Sequence, residues 1–125
     1  AVGPVMKRQG EGRIVNIASV AGLGPTGSSI AYAVSKAGLI HLTKRMALHL
    51  APERIVVSAI APGPFASEMN KSARDHADEV AERVPLGRIG ELEDMAGAAI
   101  FLASRAGDYV VGSTLVVDGG TAWGR

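Results

Sequence analysis

The sequence predicts an α/β fold in which three parallel strands are flanked by helices. Three short runs rich in β-branched residues are followed by glycine-containing loops, and segments with apolar residues at helical spacing lie between them. Strands that alternate with helices in this way favour a parallel sheet whose faces the helices cover. Because the 125 residues contain no internal repeat and no break in composition, we expect one domain spanning residues 1–125.

The first half of the chain predicts a helix end, a strand and a long helix. Val2–Gln9 is typical of the last turns of a helix, and Arg13–Ala18 is an apolar run suited to a strand covered on both faces. The stretch Ser19–Gly27 is rich in Gly, Pro and Ser and predicts a loop. Apolar residues then recur at helical spacing from about Ser29 to Leu50, and Pro52 closes that helix.

The second half predicts two more strands and two more helical segments. Ile55–Ala61 is a second buried strand, ended by the turn Pro62–Gly63–Pro64. Ser67–Glu82 is polar and rich in alanine, which predicts a short mobile helix. Glu91–Ala103 carries acidic residues in its first turn, as a helix start favours, and Val110–Val117 contains the third strand.

Composition narrows the possible functions. The 13 basic residues are balanced by 12 acidic ones and are scattered, so we expect no nucleic-acid partner. No apolar run is long enough for a membrane-spanning helix, so we expect no membrane partner either. The absence of cysteine fits the reducing cytoplasm, which is the expected location. The residues His41, His49 and His76 have neither the spacing nor the neighbours of a metal site, so no metal is expected.

Three polar residues form the candidate catalytic set. Tyr32 and Lys36 stand four residues apart, so their side chains project from one face of the long predicted helix. A fixed cation near a phenol favours the phenolate and suits tyrosine to general acid/base catalysis. Ser19 lies just beyond the first strand, where open parallel sheets place ligands, and its hydroxyl can donate to a carbonyl oxygen. The alternative is structural: a packed tyrosine, a solvated lysine and a turn serine.

Two arginines in the second half offer a further polar site. Arg83 and Arg88 flank Pro85 and could clamp an anionic substrate. The alternative is that they are solvated or paired with the nearby acidic residues Glu82 and Glu91.

Five short runs extend over nearly the whole chain, from Gly12 to Gly120. They are GRIVNIASVAG, YAVSKAGL, APGPFAS, PLGRIGELEDMA and GSTLVVDGG. In this order and spacing the sequence resembles the second half of the short-chain dehydrogenase/reductase family, and in particular its 3-oxoacyl-ACP reductase-like members. The resemblance implies the C-terminal half of a Rossmann-like, doubly wound parallel sheet. It also implies an oxidoreductase that uses NAD or NADP to interconvert a carbonyl compound and a secondary alcohol.

The resemblance assigns roles to the candidate catalytic residues. Ser19 would polarise the substrate carbonyl, and Tyr32 would be the acid/base. Lys36 would favour the Tyr32 phenolate and bind the nicotinamide ribose, so that Tyr32 and Lys36 also belong to the cofactor site. By the same resemblance the complete enzyme would be a homo-oligomer, either a tetramer or a dimer.

The turn after the second strand would complete the cofactor site. The resemblance places the main chain of Pro62 and Gly63 close to the nicotinamide and Phe65 against its carboxamide. Ser67 stands where the family usually has a threonine, which keeps the hydroxyl. The structural alternative is a simple strand-ending turn beside a core aromatic residue. One departure is Ser58, where relatives commonly carry asparagine.

The glycine-rich turn that binds pyrophosphate at a helix N-terminus is not found in the sequence. Family members supply it in a first half, so we expect residues 1–125 to be a partial domain without the N-terminal dinucleotide-binding half. Two hypotheses follow. In the first, these residues are part of a complete nicotinamide-dependent oxidoreductase. In the second, they form a non-catalytic half-domain that serves as an assembly or binding module.

Overall fold

Residues 2–124, which a computed structural model describes, form a three-stranded parallel sheet with helices packed against it. The strands are β1 (Gly12–Ile17), β2 (Ile55–Pro62) and β3 (Thr114–Val117). The helices are α1 (Gly3–Gln9), α2 (Ile30–Leu50), α3 (Lys71–Asp75), α4 (Ala77–Ala81) and α5 (Leu92–Ala103). Single turns of 3₁₀ helix occur at Val20–Gly22, Ala51–Glu53 and Arg105–Gly107. The predicted arrangement of three parallel strands with flanking helices is confirmed.

Strand β2 lies at the centre of the sheet and pairs in parallel with both neighbours. The register places Ile17 of β1 opposite Ile60, and Pro62 opposite Val117 of β3. Because β2 is covered on both faces, nearly all its residues are buried, which explains its continuous apolar sequence. The carboxyl ends of all three strands meet along one edge of the sheet, which we call the carboxyl edge.

Helix α2 covers one face of the sheet, and α5 covers the other. Two apolar clusters lie between α2 and the sheet. One contains Ala18, Ile40 and Ala59. The other contains Ala47, Ile55 and Val57. Successive residues of a strand point to opposite faces, so Val56, Ser58 and Ile60 face the side on which α5 contacts all three strands. Ser58 is almost fully buried there, at 1% exposure, so its departure from the family pattern lies in the core.

Strand β3 (Thr114–Val117) lies within residues 110–117, where the third strand is predicted, and Gly112 shortly before it has a left-handed φ of 73°. One segment differs from the prediction. The predicted single helix in residues 67–82 is instead two five-residue helices, α3 and α4. They are separated by His76, whose φ of −135° is not helical.

Two further observations concern residues 2–124 as a whole. None of the helices in this range has both the length and the apolar content needed to cross a membrane. The same residues contain no cluster of three or more His, Cys, Asp or Glu side chains that could hold a metal ion.

Candidate active site

Tyr32 lies in the first turn of α2 because Ser29 begins the helix just before it. Ser29 has an extended backbone, and its Oγ accepts a 3.4 Å hydrogen bond from the Tyr32 N–H. This cap satisfies one of the main-chain donors that a helix start leaves without a partner. Since α2 connects two parallel strands, its first turn lies at the carboxyl edge of the sheet. The cap therefore places the phenol where a ligand would bind.

Lys36 stands one helical turn beyond Tyr32 and is held by the main chain of β1. Its Nζ lies 5.5 Å from the centre of the Tyr32 ring and donates a 2.9 Å hydrogen bond to the Ile17 oxygen. Both side chains are half-buried. An ammonium group carries three N–H donors, and Lys36 uses one of them within residues 2–124. The remaining two donors can bind a ligand beside the phenol.

Ser19 follows β1 closely and caps the single turn Val20–Gly22. Its Oγ accepts a 3.2 Å hydrogen bond from the Ala21 N–H, and the residue is 9% exposed. This turn packs directly against α2, where a Cβ on Gly22 would lie 2.6 Å from the Lys36 carbonyl carbon. Only glycine allows so close an approach. The turn that carries Ser19 is thus fixed to the helix segment that carries Tyr32 and Lys36.

A buried polar contact joins α2 to β1 two helical turns further along. Asn16 Nδ2 donates a 2.9 Å hydrogen bond to Thr43 Oγ1, which in turn donates to the Leu39 oxygen at 2.8 Å. Thr43 is fully buried. Together with the bond from Lys36 to Ile17, this contact fixes α2 lengthwise along β1. It therefore determines where Tyr32 stands relative to the end of the strand.

The predicted cofactor turn leaves the central strand at the same edge. The Gly63 N–H donates a 2.9 Å hydrogen bond to the Val117 oxygen, and a Cβ on Gly63 would lie 2.6 Å from Asp118 Cβ. The Asp118 carboxylate is itself held by the N–H groups of Gly120 at 2.9 Å and Ala122 at 2.6 Å. The main chain at Pro62 and Gly63 is therefore supported by the end of β3.

Phe65 packs sideways against another loop. It forms an isolated parallel bridge with Gly90, where any Cβ would overlap the Phe65 ring. The Gly90 N–H also donates a 2.9 Å hydrogen bond to the Pro64 oxygen. A cavity of about 240 Å³ lies beside this contact, lined by residues that include Leu86, Val116 and Asp118. The Phe65 ring therefore faces Gly90.

Two further predicted polar residues, Ser67 and Arg88, have local partners. Ser67 is exposed, and its Oγ accepts a 3.0 Å hydrogen bond from the Asn70 N–H. Arg88 forms a two-pronged ion pair with Asp94, with distances of 2.6 Å and 3.0 Å. The hydrogen bonds from Arg88 lower the pKa of the Asp94 carboxyl to about 2. Arg88 is thus paired, with a partner other than the expected Glu91.

The structure therefore places Tyr32 and Lys36 side by side at the carboxyl edge and packs the turn that Ser19 caps against their helix. Within residues 2–124, neither the Ser19 O–H nor the Tyr32 O–H donates a hydrogen bond. Two hydroxyls and an ammonium with free donors can bind and protonate a carbonyl oxygen.

Comparison with known proteins identifies the family. The family model described as enoyl-(acyl carrier protein) reductase matches residues 1–122. A relative named short-chain type dehydrogenase/reductase y4vI, from Sinorhizobium fredii, is 47% identical over 111 residues. The chain belongs to the short-chain dehydrogenase/reductase family. The resemblance found in the five sequence runs is thereby confirmed.

Other short-chain dehydrogenase/reductases match over almost the whole chain. The 3-oxoacyl-[acyl-carrier-protein] reductase FabG of Thermotoga maritima is 42% identical over 118 residues, which are 94% of this chain and 48% of that protein. A gluconate 5-dehydrogenase from Burkholderia cenocepacia, solved in complex with NADP and tartrate, is 40% identical. It superimposes with a TM-score of 0.89 over 96% of this chain and 48% of its own. The chain spans 20% of the Sinorhizobium fredii relative and about half of the other two.

Three residues that support this candidate site were not predicted as part of it. Asn16 and Thr43 are polar residues on faces that the sequence pattern assigns to the core. A polar residue at a core position could have drawn attention to both of them. Gly22 stood out only as one of many loop glycines, since its contact with Lys36 joins distant parts of the chain.

Proposed function

We propose that this chain carries the catalytic half of an oxidoreductase that uses NAD or NADP to interconvert a carbonyl compound and a secondary alcohol. The observation that carries the proposal is the hydrogen bond from Lys36 to the end of β1. It places a fixed ammonium beside the Tyr32 ring, next to the Ser19 turn. A structural tyrosine on a helix surface would need neither the cation nor the main-chain anchor.

In the direction of reduction, the chain's own residues bind the substrate and provide a proton. Ser19 donates a hydrogen bond to the carbonyl oxygen and polarises the bond. Tyr32 gives its O–H proton to that oxygen, while the charge of Lys36 stabilises the phenolate that remains. The carbonyl carbon gains one hydride and the oxygen one proton, which together make the alcohol. In the direction of oxidation, the Tyr32 phenolate takes the proton back.

The residues present fit a nicotinamide cofactor. The free N–H donors of Lys36 suit the hydroxyls of a ribose, and the main chain at Pro62 and Gly63 offers a close approach at the strand end. We also assign Phe65 and Ser67, which follow this turn in the chain, to the same cofactor site. When bound, the nicotinamide supplies or accepts the hydride. The complex of the neighbouring gluconate 5-dehydrogenase with NADP and tartrate supports this assignment.

We further propose that the active protein is a cytoplasmic homo-oligomer, either a dimer or a tetramer, which contains a dinucleotide-binding half in addition to residues 1–125. Support for assembly comes from α2, whose outer face exposes apolar side chains. Ile30, Val34 and Leu48 are 84%, 65% and 70% exposed. Exposed apolar surface of this kind favours association with another protein surface.

The proposal is tested by removing one oxygen atom. We expect purified protein containing this chain to oxidise NADH or NADPH with carbonyl compounds, and a suitable panel includes 3-oxoacyl thioesters and keto sugar acids. Tyr32→Phe keeps the ring and removes the proton, so kcat/KM should fall by about 10²- to 10⁴-fold. The control is Tyr109→Phe, because Tyr109 is fully exposed and should not affect the rate. Activity of Tyr32→Phe equal to that of Tyr109→Phe contradicts the mechanism.

The second candidate is a non-catalytic assembly or binding module. The exposed apolar face of α2 favours it, as does β1, which pairs only with β2 among the described residues. Such a module would associate without turnover, and Tyr32→Phe would change nothing measurable. Oligomerisation together with an absence of reductase activity across the whole panel would decide in its favour.

A further inference from the structure

The Arg88 side chain donates three hydrogen bonds in the loop beside the proposed cofactor turn. Nη1 and Nη2 donate to the two carboxylate oxygens of Asp94, and Nη1 also donates a 3.1 Å hydrogen bond to the Ile89 oxygen. Asp94 Oδ2 accepts a further 2.8 Å bond from the Glu91 N–H, which begins α5. The loop 88–91 is thereby closed onto the first turn of α5.

This closed loop supports the turn that follows β2. Gly90 lies within the loop, donates its N–H to the Pro64 oxygen at 2.9 Å, and forms the flat surface on which the Phe65 ring lies. On the opposite side the same turn is supported by Val117 and Asp118. The bond to Gly90 and the ring contact are therefore the outer support of residues 62–65.

We propose that Arg88 is a positioning residue for the turn 62–65: through Asp94 it fixes Gly90, and Gly90 fixes Pro64 and Phe65. The effect on the cofactor rests on the proposed function, whereas the effect on the turn itself does not. The sequence alone allows a different role, in which Arg88 helps to bind an anionic substrate directly. In the proposed role Arg88 does not contact the ligand. Its planar fork suits the task, because it binds both carboxylate oxygens and a carbonyl oxygen at once.

The structural step is tested by nuclear magnetic resonance of the protein with ¹³Cα-labelled glycine. One Gly90 Hα points at the Phe65 ring, in the direction in which a Cβ would overlap it, so its resonance should be displaced to high field. Phe65→Leu removes the ring, which identifies that signal among the 16 glycines. We expect Arg88→Ala to return the signal close to its ordinary position and to speed exchange of the Gly90 N–H by about tenfold or more. Lys7→Ala, which removes a surface ion pair with Glu53, is the control and should leave both unchanged.

Two milder variants keep the test decisive if Arg88→Ala does not fold. Asp94→Asn keeps an oxygen for the Glu91 N–H and removes the charge, while Arg88→Lys keeps the charge and removes the fork. Both should move the Gly90 signal part of the way. An unchanged Gly90 resonance and exchange rate in the folded variants would overturn the proposal.

The functional step uses cofactor affinity and turnover. In protein that binds NADH or NADPH, we expect Arg88→Ala to raise the cofactor Kd and KM by about tenfold, with a much smaller change in kcat, because the proton donors are untouched. Equal losses of kcat in Arg88→Ala and Tyr32→Phe, with unchanged cofactor KM, would overturn the positioning role. Failure of the complete wild-type protein, with its dinucleotide-binding half, to bind NADH or NADPH would refute the proposed function, and the resonance experiment would still decide the structural step.

Discussion

Lys36 Nζ lies 5.5 Å from the centre of the Tyr32 ring while it donates a hydrogen bond to the last residue of β1. The ammonium is therefore fixed by the sheet, although it is carried by the helix. A lysine held only by its flexible side chain would spend much of its time away from the ring, where its charge is screened by water. Anchoring by the Ile17 oxygen keeps the charge beside the phenol.

Removal of this charge should affect ligand binding and turnover together. We expect Lys36→Ala to lower reductase kcat/KM by about 10²-fold or more and to weaken cofactor binding, because both the phenolate and a ribose lose a partner. Lys44→Ala is the matched control, since Lys44 is exposed on the same helix. Steady-state kinetics and fluorescence titration with NADPH measure the two effects. A rate and a Kd like those of Lys44→Ala would remove Lys36 from the mechanism.

The contact between the Ser19 turn and α2 predicts a sharp difference between two nearby glycines. Gly22→Ala would place a Cβ 2.6 Å from the Lys36 carbonyl carbon, so we expect a loss of about 1–3 kcal/mol in the free energy of unfolding and a slower reaction. Gly24→Ala has no atom within 4 Å of the new Cβ and should be neutral. Urea unfolding of the two variants makes the comparison. Equal stabilities would show that the turn moves freely against the helix.

The buried hydrogen bond between Asn16 and Thr43 should contribute to stability. Thr43→Val keeps the shape but leaves the Asn16 amide without its partner, which costs about 1–3 kcal/mol. Thr26→Val alters an exposed hydroxyl and should cost about 0.5 kcal/mol or less. Denaturant midpoints provide the measurement. We also expect Thr43→Val to slow turnover, and a full wild-type rate would mean that the contact does not set the position of Tyr32.

The ion pair of Arg88 with Asp94 predicts a dependence of stability on pH. Because the pKa of Asp94 is lowered to about 2 in the folded chain, its stabilising contribution is complete above the usual carboxyl range near pH 4. The contribution is lost as the pH falls from about 4 towards 2. Wild-type protein should therefore melt at a higher temperature than Asp94→Asn at pH 7, and the gap should narrow below pH 4. A constant gap across this range would contradict the assignment.

The sequence alone predicts the elements whose signals are local. Ser29 before a periodic apolar stretch marks the start of α2, and the apolar run of β2 indicates a strand covered on both faces. The same spacing places Tyr32 and Lys36 on one face of the helix, and the structure confirms their proximity. The roles assigned to these two residues remain predictions.

Features that depend on distant parts of the chain could not be predicted in this way. The support of Phe65 by Gly90 and the anchor of Lys36 each join residues far apart in the sequence. The partner of Arg88 lies six residues away, where charge alone does not distinguish Asp94 from Glu91. Charge and spacing restrict the possible partners of a side chain, and only the packed fold selects one.

The central position of β2 restricts how the sequence of this protein can evolve. This strand forms the core of the sheet, and its last residue begins the turn proposed to meet the cofactor. A substitution that shifts β2 therefore threatens folding and ligand preference at the same time. The segment at residues 68–82, which includes α3 and α4, has mostly exposed side chains and lies outside the contacts that support the turn 62–65, so it can vary without that risk. New substrate preferences should arise in this segment, and laboratory evolution aimed there should retain far more folded variants than libraries directed at β2.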